Sequence, residues 1–96
     1  MIGTGTINYR IEVEYRRRNE FHGTTELLPY IALDKGGAER KAITIVRANH
    51  KGYFPKEVTC RIYTYNGPDL IEGTVTVVNI YGTSTYNIPK SIQKIK

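Results

Sequence analysis

The stretch from Ile7 to Tyr15 alternates without a break, with Ile7, Tyr9, Ile11, Val13 and Tyr15 on one side and Asn8, Arg10, Glu12 and Glu14 on the other. Successive side chains of a strand point to opposite faces, so strict period two means a strand with one buried face. The pattern stops at Arg16, Arg17 and Arg18, which gather three guanidinium groups of five donors each at a strand end or turn.

Further elements follow from local chemistry. Thr24 to Leu33 is a second extended run, and Pro29, lacking an amide donor, puts it at a sheet edge or breaks it with a bulge. The first two strands then form a long hairpin with the basic loop at its tip. Asp34 is a helix N-cap, and Ala38, Ala42, Ile45, Val46 and Asn49 recur at three- and four-residue steps, which predicts an amphipathic helix over Lys35 to Lys51. Gly36 and Gly37 weaken its first turn, which moves the expected start nearer Ala38. Gly52, Tyr53 and Pro55 form its stop signal.

Val58, Cys60 and Ile62 alternate with Thr59, Arg61, Tyr63 and Tyr65, after which Asn66, Gly67, Pro68 and Asp69 make a turn. The return strand is read as Leu70 to Tyr81, with Ile71, Val75 and Val77 inward. Gly82 to Ser84 then turns the chain into a short strand near Thr85 to Ile88, and Lys90 to Lys96 is a basic, frayed tail. The expectation is an α+β domain: a four- to five-stranded antiparallel or mixed sheet with a single helix on one face, in the order β-β-α-β-β-β. The expected core is Ile11, Val13, Ala42, Ile45, Val46, Val58, Cys60, Ile62, Val75 and Val77. One helix covers one face, which leaves Arg10, Glu12, Glu14, Arg61, Tyr63 and Tyr65 on an open one.

The 96 residues make one domain with a modest core. A single cysteine excludes an intrachain disulfide and gives no zinc spacing, which favours a reducing, cytoplasmic setting, that of a host cell for a viral protein. No apolar run approaches the roughly 20 residues of a membrane span, and the N-terminus lacks the pattern of a secretion signal.

Catalytic chemistry is sparse. His22 lies in the loop after the arginines, and His50 is favoured at a helix end by the dipole alone. Cys60 is on the inward side of its strand, and Asp34 and Asp69 are explained as cap and turn. Glu12 and Glu14 share a strand face, but Arg10 and Arg16 flank them, so a ladder of alternating charge is a simpler account than a cation site. There is no Walker loop, GxGxxG, HExxH or paired CxxC. The chain is read as no enzyme, with neither cofactor, metal nor small-molecule substrate.

Fourteen Lys and Arg against nine Asp and Glu give a formal charge of +5, which favours polyanionic partners. Arg16, Arg17 and Arg18 suit phosphates through their two-pronged forks. Arg40, Thr44, Arg47 and Lys51 form a cationic helix stripe, with an ordinary solvated helix face as the plainer account. Arg61, Tyr63 and Tyr65 point the same way from a strand, as stacking surfaces in RNA-binding sheets do, although cross-strand stabilisation of an exposed sheet face is the plainer account. The leading expectation is nucleic-acid binding through backbone contacts with weak sequence preference. The alternative is a protein-interaction module, either a homodimer or an inhibitor or accessory protein of viral or mobile-element type, using Val78, Ile80 and Tyr81 as interface. A strand apolar on both sides calls for cover on both, by a second copy or by a lid carrying Ile88, Ile92 and Ile95.

Overall fold

The structure, a computed structural model, describes residues 6–17, 23–49, 57–71 and 73–87. Expectations resting on Arg18, His22, His50, Lys51, the helix stop signal, the lid residues and the basic tail fall outside them.

The elements run β1 (Ile7–Arg16), β2 (Thr24–Ala32), α1 (Lys35–Asn49), β3 (Glu57–Asn66), β4 (Asp69–Leu70), β5 (Thr74–Asn79) and β6 (Gly82–Asn87). The strands form one antiparallel sheet in the order β2-β1-β3-β5-β6, with the two-residue β4 also paired to β3. α1 packs across its centre. This is the expected α+β arrangement of one helix on one sheet.

Local signals explain most boundaries. The Gly37 N–H donates to Asp34 Oδ1 at 2.6 Å, the N-cap bond that starts α1 at Lys35 despite the two glycines. A Cβ on Gly36 or Gly37 would stand 3.3–3.4 Å from the Asp34 carboxylate, so glycine keeps that cap open. β2 is both an edge strand and bulged: the register against β1 shifts between Arg10 and Glu12, and Pro29 lies in the extra length on β2. Asn66 faces Asp69 across the turn at Gly67 and Pro68, with Gly67 at φ 60°.

The core lies between α1 and the inward faces of β1, β3 and β5, with the end of β2: Ile11, Val13, Ala32, Ala38, Ala42, Val46, Val58, Cys60, Ile62 and Val78. The helix meets the sheet through Ala38, Ala42 and Val46, whose four-residue spacing makes a seam of small side chains. Its backbone comes close enough for the Cys60 thiol to lie 3.8 Å from the Ala42 carbonyl oxygen. Ile45, expected in the core, flanks this seam and is only partly buried.

Two expectations fail in the return chain. Val75 and Val77 are not core residues; Thr76 and Val78, each 2% exposed, take the inward positions. The cause is a break in register. Tyr65 faces Leu70, and three residues back along β3 Ile62 faces Thr76, six residues further along the return chain instead of three. The three extra residues between β4 and β5 are an odd number, so every later side chain changes face. Gly73, at φ 151°, lies in this break. The final turn is also earlier than expected. Ile80 and Tyr81 form it, with the Tyr81 N–H donating to Asn79 Oδ1 at 2.8 Å, and β6 begins at Gly82, whose φ of 137° favours glycine.

Candidate interaction surface

Register, not sequence proximity, assembles the face of the sheet that turns away from α1. Directly opposed residues of an antiparallel pair share a face. One row runs Ile31, Arg10 and Tyr63; the next runs Leu27, Glu12, Arg61, Val77 and Ser84, and on the same face Val75 stands opposite Tyr86.

A charged cluster fills the centre. Arg61 Nη2 donates to Glu14 Oε1 at 2.7 Å and Nη1 to Glu12 Oε1 at 3.4 Å, while the Tyr63 hydroxyl donates to that Glu12 oxygen at 3.3 Å. Partial burial alone would pull the Arg61 guanidinium down, but Glu14 and then Glu12 outweigh it and the net shift is upward. The Tyr63 phenol is pushed up, first by burial and then by Glu12. Two carboxylates enclose one guanidinium, so the cluster carries a net negative charge and is a poor seat for phosphate.

Toward Gly67 a second network holds Arg10. The buried Asn8 amide donates to the carbonyls of Thr6 (2.9 Å) and Gly67 (3.1 Å) and accepts from Arg10 Nε at 3.1 Å. Arg10 Nη2 donates to the Gly67 carbonyl at 3.0 Å, and the guanidinium carbon lies 4.3 Å from the centroid of the Tyr65 ring. One face of Tyr65 is therefore covered by a cation from the same sheet.

Around this polar centre the face is apolar. Leu27 and Ile31 on β2 are 50% and 49% exposed, Tyr86 on β6 is 56% exposed, and Leu70, opposite Tyr65, is also exposed. Val75 and Val77 stand half-buried between them.

The expected binding residues divide between two sides of the molecule. Arg61, Tyr63 and Tyr65 are on this face. Arg40 and Arg47 are exposed on α1, across the sheet, and among the described residues neither forms an ion pair with a carboxylate. Arg16 pairs with Glu57 in an exposed bridge of little energetic weight, and Arg17 is exposed just beyond β1. Val78 belongs to the core, so of the three expected interface residues only Ile80 and Tyr81, the latter 90% exposed, are at the surface. These two, with Ile43, Val46 and Arg47, line an open apolar cavity of about 600 Å³ between α1 and the β5-β6 turn.

Burial pushes the Cys60 thiol up to about 11, which keeps it protonated at neutral pH and agrees with a packing role. Among the described residues no three His, Cys, Asp or Glu side chains gather as a metal site, and no helix is long and apolar enough to cross a membrane.

Comparison with protein-family models, curated proteins and solved structures yields no match, so geometry and chemistry alone carry the functional reading. The strand parity of β1 and β3 revealed the polar centre of the face. Its apolar margin was not legible, because Leu27 and Ile31 lie either side of the bulge and Val75 and Val77 follow the register break.

Proposed function

We propose that this protein is a non-catalytic binding module that docks a protein partner on its open sheet face. The observation that carries this reading is the pattern of that face: exposed Leu27, Ile31, Leu70 and Tyr86 surround a centre whose charges already satisfy one another. Protein interfaces commonly combine apolar and aromatic anchors with polar groups that are hydrogen-bonded before the partner arrives. A partner presenting apolar side chains to the margin need not strip water from an unpaired cation at the centre.

Nucleic-acid binding remains a second reading, favoured by the net charge and by Arg40 and Arg47, which project from α1 and pair with no carboxylate among the described residues. In that reading the helix stripe and Arg17, rather than Arg61, Tyr63 and Tyr65, meet phosphates.

Two surface variants separate the readings. Leu27→Asp with Ile31→Asp disrupts the sheet face, and Arg40→Glu with Arg47→Glu reverses the helix stripe. Docking on the sheet face predicts that a protein retained by the wild type from its native source is lost by the first variant and kept by the second. Oligonucleotide titration at two salt concentrations is expected to show no binding. Salt-sensitive oligonucleotide binding that disappears in the helix variant would replace the first reading with the second.

A further inference from the structure

The two edges of this sheet are built differently. β2 carries the devices by which proteins keep a free edge from pairing: Pro29, a bulge at the same place, and a charge at Glu26. β6 carries none of them. Its six residues, Gly82, Thr83, Ser84, Thr85, Tyr86 and Asn87, are all exposed, include no charge or proline, and among the described residues pair, in unbroken register, with β5 on one side only. The neutrality extends through the whole hairpin, since residues 73–87 contain no Asp, Glu, Lys or Arg in a chain in which 24% of residues are charged.

We propose that the β6 edge pairs with β6 of a second copy of this chain, antiparallel and about a twofold axis normal to the sheet. Each edge strand has a row of N–H and C=O groups pointing away from β5, and an antiparallel copy of the same strand satisfies them. Self-pairing of a charged edge would set like charges opposite one another, whereas uncharged β6 carries no such penalty even though the protein is basic. The threonines of β6 suit a strand-strand contact, and Tyr86 adds aromatic area beside the junction on the open face.

Geometry also explains why a second copy, rather than an open series, is the occupant. Among the described residues β6 is the unprotected edge, so twofold pairing uses it and leaves a blunted β2 at both ends, and growth stops at two. The two five-strand paths become one ten-stranded sheet with both helices on one side. The two open faces then form one continuous surface. This inference concerns the sheet edge and stands independently of what docks on the face. A six-residue strand contact is small by the standard of stable interfaces, so dissociation in roughly the micromolar range is expected.

Sedimentation equilibrium of the full chain from about 1 µM to about 1 mM tests it. The wild type is expected to pass from monomer to dimer, Thr85→Lys to remain monomeric over the whole range, and Thr25→Lys on the β2 edge to dimerise like the wild type. Amide hydrogen exchange of the wild type gives a readout free of any folding defect in a variant: protection across Gly82 to Asn87 is expected to rise with concentration while that of Thr24 to Glu26 stays constant. A wild type that stays monomeric at every concentration overturns the proposal. So does a dimer that survives in a folded Thr85→Lys variant, or one whose formation leaves β6 exchange unchanged.

Discussion

The register break before β5 can be tested with two neighbouring valines, because it makes Val78 a core residue and turns Val77 to the open face. Val78 is 2% exposed, between Cys60 on β3 and Thr83 on β6 and beneath α1. Val78→Ala removes two carbon groups, worth about 0.8 kcal/mol each in transfer from water, and leaves a void that packed neighbours fill only in part. The expected loss is about 2 to 3 kcal/mol. Val77 is half-buried and has water on one side, so Val77→Ala should cost under about 1 kcal/mol. For a domain whose total stability is on the order of 5 to 15 kcal/mol, the difference is easily measured. Urea unfolding followed by far-UV circular dichroism gives the midpoints, and an unchanged slope confirms that the denatured state is the same. Measurement at two protein concentrations separates intrinsic packing from any contribution of dimerisation. If Val77→Ala costs as much as Val78→Ala, the hairpin has run on from β4 without its three extra residues, and the assignment of faces in β5 is refuted.

Two other perturbations probe the site and the core. Arg61→Met leaves Glu12 and Glu14 on one face without their cation; as these side chains are about a third exposed, screening limits the cost to about 1 to 3 kcal/mol, and the further change Glu14→Gln should recover part of it in the urea midpoint. Full stability of Arg61→Met at low salt would mean that the cluster does not organise the face. Cys60 has a thiol raised from 9.0 to about 11, so the unfolded chain loses its proton first and stability falls as pH climbs from about 9 to about 11. Two pKa units correspond to about 2 to 3 kcal/mol, and Tyr15 and Tyr63, also raised by burial, act in the same direction. Cys60→Ala should show a shallower alkaline loss than the wild type, and identical profiles would contradict the buried thiol.

What the sequence alone determined is whatever depends on near neighbours. The alternation from Ile7 to Tyr15 assigned the two faces of β1, Asp34 identified the start of α1, Pro29 announced an edge and a bulge, and Gly67 and Pro68 marked a turn. Each of these is a property of a few consecutive residues: side-chain period, a capping oxygen, a missing amide or a permitted φ. Tertiary structure decided the rest. Whether Val77 or Val78 enters the core depends on how many residues are spent between β4 and β5, and the alternating pattern on both sides of that break reads the same with either parity. The strand order, which makes β6 an edge, is not encoded in any local run. The pairing of charges was not legible for a related reason. Arg61 beside two tyrosines reads as a cationic binding strip along β3, but the neighbouring strand supplies Glu12 and Glu14, and a charge is known only together with what lies across from it. Likewise Arg40 and Arg61 add to one net charge in the sequence and stand on opposite sides of the folded sheet, because a helix packed on one face separates its own outward surface from the other face of the strands beneath it.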